Sequence, residues 1–312
     1  MDKKVVIIGA GMMGSGIAAV SAIAGNRTVL VDTGADLAEK GRVKAIDCIN
    51  ELVDNGLADA QKGEVAKTLI STADALESAV VGASIIIEAI FENMELKQEL
   101  FAKLDELTEK DVPILSNTSG LRITEIAAKV KRYPERTMTA HFWLPGHLIP
   151  LVEVVMWEKT DEAMAVEIKN ELISWGKAPV LVHRDLPGQL ANRILQAIIR
   201  EATNIVKIGL ASPEDVDTAI KQGMGIRFPA WGPLEHIDAV GLDLCSSVQD
   251  TVLPGISSDE SNELLRSMVE NGDLGFKTGK GVYDWSKKDM PGLLKRRNEF
   301  IIHALKKLKE WE

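Results

Sequence analysis

The chain has 312 residues, enough for one large domain or two of ordinary size, and its 46% hydrophobic and 26% charged residues describe a soluble globular protein. A formal net charge of −10 disfavours a nucleic acid or an anionic membrane as partner, and two cysteines, Cys48 and Cys245, are too few for a disulfide framework or a metal site. No apolar run reaches the roughly 20 residues of a membrane span, no signal peptide is expected at the amino terminus, and a reducing cytoplasm fits best.

The first element, "KVVIIGA" (4–10), is a short β-branched run that predicts a buried strand. It leads directly into Gly9, Gly11 and Gly14 at G-x-G-x-x-G spacing, with Met12 and Met13 inside the loop and a helical pattern behind it. The spacing alone is weak, but a second strand, "RTVLVD" (27–32), ends in Asp32 about 20 residues on, where a carboxylate accepts ribose hydroxyls. Gly9 permits the tight turn, Gly11 lets the backbone approach a pyrophosphate, and Gly14 lets helix and strand pack, with the helix amino terminus facing the phosphates. Asp32 would repel a 2′-phosphate, so NAD is expected rather than NADP.

Further buried strands are expected at "ASIIIEAI" (83–90), "VPILSNT" (112–118) and "RTMTAHFW" (136–143), with amphipathic segments such as "LKQELFAKLDELTE" (96–109) between them. Strand and helix in alternation predict an α/β fold with a doubly wound, Rossmann-type parallel sheet. The stretch "HFWLPGHLIPLVEVV" (141–155) then places His141 at the end of one strand and Glu153 within the next, across a loop holding Pro145, Gly146 and Pro150. A lone buried carboxylate loses its hydration and gains nothing, so Glu153 needs a partner. His141 can be that partner, and a histidine held by a carboxylate is a base for removing a hydroxyl proton while hydride leaves the same carbon for nicotinamide. A satisfied core pair without chemistry is the other reading of the spacing. His147, His183, His236 and His303 read as ordinary polar residues.

After "HRDLPGQ" (183–189) the pattern changes to long helices, among them "NRILQAIIREATNIVKIGL" (192–210), and little beyond "GVYDW" (281–285) reads as strand. The expected organisation is a nucleotide-binding domain over 1–185 and an all-α carboxy-terminal domain over 186–312. The basic terminal stretch, "KRRNEFIIHALKKLKEWE", reads as an amphipathic surface helix.

The glycine loop, "EAIFENMELKQELF" (88–101), "SNTSG" (116–120), "HFW-x-P" with "LVEVV", "DLPGQLANRIL" (185–195), "GPLEHIDAVGLD" (232–243) and "FKTGKGVYDW" (276–285) together resemble the L-3-hydroxyacyl-CoA dehydrogenases over nearly the whole chain. The resemblance implies a helical second domain for substrate and dimerisation, hence a homodimer, and a catalytic pair of His141 as base and Glu153 as its partner. It implies cofactor contacts from Glu92, Lys97 and Asn117, a substrate contact from Ser119, and a site-lining amide at Asn192.

Three positions depart from the family pattern. Leu144 stands where an asparagine is usual, Gly120 where a second serine is common, and Gln189 where an aromatic is usual. The segment "INELVDNGLADAQKGE" (49–64), with Asp47 just before it, is made acidic by Asp47, Glu51, Asp54 and Asp59 where the family often offers lysines to coenzyme A, whose phosphates call for basic residues. "GMGIRFPAWGPLE" (223–235) resembles the gulonate and carnitine dehydrogenases and the lambda-crystallins, and its Arg227 could hold a substrate carboxylate or be a plain surface arginine. The expectation is therefore an NAD-dependent oxidoreductase interconverting a 3-hydroxy and a 3-oxo acid, a free small acid favoured. A short-chain 3-hydroxyacyl-CoA thioester is the near alternative. A crystallin-like NAD-binding protein with little turnover and a repurposed ketone or imine reductase are the others.

Overall fold

The computed structural model describes residues 3–311. They divide into two compact units, Met1–Arg193 and Ile194–Glu312, and the division falls within one helix.

The first unit follows the order β1 (Lys4–Ile8), α1 (Met12–Ile23), β2 (Arg27–Val31), α2 (Ala35–Asp54), α3 (Ala60–Leu69), β3 (Ile70–Ala73), α4 (Leu76–Val80), β4 (Ile85–Glu88), α5 (Met94–Leu107), β5 (Ile114–Ser116), α6 (Ile123–Ile126), β6 (Thr137–Phe142), β7 (Leu151–Val155), α7 (Glu162–Ser174) and β8 (Ala178–Val182). The strands form one sheet in the order β3-β2-β1-β4-β5-β6-β7-β8. Every pairing is parallel except that of β6 with β7, which is antiparallel. The order reverses between β1 and β4, the crevice in which open α/β sheets hold their ligands.

Helices on both faces explain why β1 and β4 are apolar without alternation: Val5, Val6, Ile7, Ile86 and Ile87 have no exposed surface. Val6, Ile86, Phe101, Leu104, Ile114, Ile123 and Ile126 form one continuous core between the sheet and α5 and α6. Burying each such side chain contributes about 1.5–3 kcal/mol before entropy is counted.

The structure adds two strands that the sequence pattern did not announce, β3 ("ISTA") and β8 ("APVLV"). Conversely, "GVYDW" makes no strand, and the nearby pairing is limited to isolated bridges of Lys280 with Gly275 and Asp284.

The second unit carries the remainder of α8 (Ala191–Lys207), then α9 (Pro213–Ala219), a π-helical turn at Ile220–Gly225, α10 (Pro233–Val240), α11 (Leu242–Val252), α12 (Glu263–Glu270) and α13 (Met290–Lys309). Its helices are tied by polar contacts: Ser257 donates its N–H to Glu201 Oε2 (2.7 Å), Lys207 pairs with Glu263 (2.6 Å), and the Tyr283 hydroxyl donates to Pro213 O (3.0 Å). Among the described residues of this unit, Ile302 is the only buried hydrophobic side chain. No described helix is long and apolar enough to cross a membrane.

Candidate active site

The glycine loop sits between β1 and α1, at the sheet's switch point. Gly9 has φ +100°, and a Cβ there would lie 2.5 Å from Ala89 O, while one at Gly14 would lie 1.9 Å from Gly9 O. Both positions are closed to any side chain. Gly11 differs, because a Cβ there would meet nothing within 4 Å, so its surface is open to a ligand. It caps α1 without any side-chain bond, leaving that helix's first amides and positive dipole end for an anion, with the exposed Met12 and half-buried Met13 beside them. Asp32, one residue past β2, accepts the Ala10 N–H (2.7 Å) and the Thr33 N–H (2.7 Å), and so braces the loop. An open backbone face, uncapped amides and a carboxylate at this spacing fit a dinucleotide.

The antiparallel register of β6 and β7 sets His141 opposite Glu153. His141 Nδ1 lies 2.7 Å from Glu153 Oε2, with His141 6% exposed and Glu153 fully buried. The same oxygen accepts the Trp143 indole N–H at 3.0 Å, and Oε1 accepts the backbone N–H groups of Leu190 (2.9 Å) and Ala191 (2.8 Å) at the start of α8. Burial works against ionisation of Glu153, but the bonds from His141, Ala191, Trp143 and Leu190 outweigh it and hold the carboxyl at about 2. An ionised carboxylate can only accept, so Nδ1 carries the imidazole proton and Nε2 keeps its lone pair. Among the described residues nothing is bonded to that Nε2.

Beside the pair, Glu92 gathers the turn after β5. Its carboxylate accepts the Thr118 hydroxyl (2.8 Å), the Ser119 N–H (2.7 Å) and the Ser119 hydroxyl (3.2 Å), and Lys97 Nζ stands 3.4 Å away. Burial would raise its pKa, but the Ser119 N–H, the Lys97 charge and the two hydroxyls lower it overall. Asn192 Nδ2 donates to Ser119 O (2.9 Å), and Asn117 Oδ1 accepts the Phe142 N–H (2.8 Å), which ties β5 to the strand of His141. Ser119, Asn192, Glu92, Asn117, His141 and Glu153 thus form one hydrogen-bonded neighbourhood.

Residues 4–186 match the family pattern of the 3-hydroxyacyl-CoA dehydrogenase NAD binding domain, and residues 188–285 that of the 3-hydroxyacyl-CoA dehydrogenase C-terminal domain. The chain belongs to the 3-hydroxyacyl-CoA dehydrogenase family. It is 32% identical over 305 residues to 5-formyl-3-hydroxy-2-methylpyridine 4-carboxylate 5-dehydrogenase of Mesorhizobium japonicum, covering 97% of each chain. It is 35% identical to human mitochondrial hydroxyacyl-coenzyme A dehydrogenase, covering 91% of each. A crystal structure of 5-formyl-3-hydroxy-2-methylpyridine 4-carboxylic acid 5-dehydrogenase, described as an NAD+-dependent dismutase, superposes with a TM-score of 0.91 at 31% identity over 99% of each chain. Like these dehydrogenases, the protein is an oxidoreductase, and its cofactor is NAD.

Measured against this family, the remaining candidates fall in different places. Lys97 is 1% exposed, with its ammonium bonded to Glu88 at 2.5 Å and 3.4 Å from Glu92. Leu144 is 47% exposed on the loop after β6. Gln189 is buried, its backbone has φ +52°, and its Nε2 donates to Thr118 O (2.9 Å). Arg227 belongs to the second unit, exposed, with its Nε donating to Gly223 O (3.1 Å). Among the described residues no cluster of His, Cys, Asp and Glu could hold a metal.

Three contributors escape a reading of the sequence alone. Trp143 is two residues after His141, on the same side of the extended chain, and that spacing was its only signal. His147 Nε2 pairs with Glu51 of α2 (2.8 Å), which spends one of the acidic hairpin's carboxylates on the loop that follows β6. Lys177 donates to Gly146 O (2.7 Å) and Ile149 O (2.9 Å) of that same loop, and burial pushes its ammonium down to about 7. His147 and Lys177 have no sequence motif, and the motif that holds Trp143 does not announce its bond to Glu153.

Proposed function

We propose that this dehydrogenase interconverts a hydroxyl and a carbonyl on a small free acid, with His141 as the base and Glu153 as the group that orients it. The free Nε2 lone pair beside an ionised, fully buried carboxylate carries this reading. In the oxidative direction Nε2 takes the hydroxyl proton, and Glu153 steadies the imidazolium that forms. NAD held at the glycine loop would supply the hydride acceptor for the same carbon. Gly11 and the first turn of α1 hold the pyrophosphate, and Asp32 holds the ribose and turns away a 2′-phosphate. Ser119 and Asn192 orient the substrate oxygen, while the buried bonding around Glu153 keeps water from competing for the proton.

A free acid rather than a coenzyme A thioester is favoured by the hairpin of α2 and α3, where Asp47, Asp54 and Asp59 are exposed and Glu51 is tied to His147. A chain of anionic phosphates would find repulsion there.

The extended likeness to a formyl-pyridine carboxylate dehydrogenase favours a second reading of the same site. A hydrated aldehyde presents the same H–C–O–H unit as an alcohol, so the Nε2 lone pair serves it equally, and the product is a carboxylic acid. That likeness covers part of α13, which lies beyond the matched family domains.

The test is a comparison of NADH oxidation with acetoacetyl-CoA and with free 3-oxo acids, beside NAD+ reduction with aromatic aldehyde carboxylates. A free acid or aldehyde with the highest kcat/KM supports the proposal. Strong preference for the thioester overturns the substrate class and leaves the chemistry of the pair intact.

The second unit, with Ile302 as its one buried hydrophobic residue among those described, is proposed to complete its core against a second copy of the chain. Two unpaired thiols, Cys48 and Cys245, favour the reducing cytoplasm.

A further inference from the structure

The residue that follows the strand of His141 delivers a second donor to the carboxylate of Glu153. The Trp143 indole N–H reaches Oε2 at 3.0 Å, the oxygen that already holds His141 Nδ1 at 2.7 Å, and the two rings stand 5.4 Å apart at 47°. Oε1 is meanwhile occupied by the amides of Leu190 and Ala191. A shared oxygen divides its negative charge between two donors, and each donor sees a weaker acceptor than it would alone.

We propose that Trp143 is a positioning residue of the His141–Glu153 pair: its indole N–H fixes the carboxylate plane and lowers the proton affinity of His141. This rests on the proposed role of His141 as base. A base must be neutral to act, so an indole that draws charge from Oε2 extends the working range of His141 toward lower pH. The effect is local to the shared oxygen. Glu153 faces the apolar Val180 of β8 in its register, and Glu92 is engaged by Thr118 and Ser119. Lys177 stands 6.0 Å from the Phe142 ring with its protons on the loop carbonyls, and Arg193 at the start of α8 donates to Pro187 O. Among the described residues no other titratable side chain is bonded to either member of the pair.

The experiment is an NMR titration of isotope-labelled histidine in the full chain, with the His141 signal assigned by its loss in His141→Ala. Trp143→Phe keeps a ring and removes the donor. It is expected to raise the His141 pKa by about 0.5–1 unit, a roughly 3–10-fold gain in proton affinity. The acid limb of the kcat/KM profile for oxidation is expected to move by the same amount. Replacing Trp143 with benzothienylalanine, which has the indole's shape but no N–H, gives a second route to the same loss and is expected to shift the pKa equally. A folded variant of either kind whose His141 pKa matches the wild type overturns the proposal, as does a uniform loss of activity at all pH values without a shift. A shifted pKa in a protein that turns over no substrate would remove the catalytic reading of the pair while leaving the assignment of Trp143 in place.

Discussion

Glu88 at the end of β4 and Lys97 in the first turns of α5 form an ion pair at 2.5 Å with 0% and 1% of their side-chain surfaces exposed. Glu88 also accepts the Ile90 N–H (2.8 Å) and the Ser116 hydroxyl (2.6 Å), so it fastens β4, the turn after it and β5 directly beneath the Glu92 cluster. Neither charge can be removed alone without leaving the other stranded in the interior. Lys97→Met is expected to destabilise the protein by about 3–5 kcal/mol in urea denaturation. Glu88→Gln combined with Lys97→Met is expected to recover most of that loss, and an additive double variant would show that the two do not act as a pair.

His141→Ala is expected to lower kcat about 10²–10⁴-fold, the usual scale of a lost general base. The affinity for NAD, measured by fluorescence titration, is expected to stay within about twofold, because the glycine loop and Asp32 are untouched. Retained turnover would take His141 out of the chemistry.

Glu153 links the site to acid stability. Its folded pKa of about 2 lies below the ordinary 4.5, so between these values the unfolded chain binds the extra proton. The stabilisation is complete above pH 4.5 and is lost as the pH falls toward 2. Unfolding midpoints of the wild type are therefore expected to drop across that window more steeply than those of Glu153→Gln, with parallel curves as the contrary result.

Asp32→Ala should lower the preference for NAD over NADP and weaken both, since Asp32 is the proposed ribose contact and also accepts the Ala10 N–H. Dissociation constants for the two nucleotides decide this, and an unchanged ratio counts against the ribose assignment.

For the second unit, the expectation is a dimer by light scattering and a Tm that rises with protein concentration. The amphipathic helices α8 and α12 have no buried residue, and exposed side chains such as Ile194, Leu234, Val269 and Phe300 need cover. A monomer with a concentration-independent Tm would show that the cover comes from elsewhere.

The parts of the molecule that could be read from the chain are those where neighbours in sequence do the work. The run from β1 through the glycine loop to Asp32 is one local unit, and β6 and β7 are joined by eight residues, so the facing of His141 and Glu153 follows from a short connection. The strand β8 is different: it is a strand because β7 lies beside it, across the whole of α7, and five residues containing Pro179 give no pattern of their own. The strand β3 owes its existence to β2 in the same way. Gln189 stands out in the sequence as a departure from the family pattern, but neither its positive φ nor its bond to Thr118 O, 71 positions away, has a local signal. Lys177 and the amides of Leu190 and Ala191 become functional only once distant strands bring their acceptors to them.

Those two amides give the carboxylate of Glu153 a second occupation, because its Oε1 seals the first turn of α8 while Oε2 holds the imidazole. A lineage that gave up turnover could lose His141 and keep its architecture, whereas losing Glu153 would also unfasten the entry to the helix. Descendants of this fold that have abandoned chemistry should therefore shed the histidine first and carry the glutamate long afterwards, as a scar of the enzyme they came from.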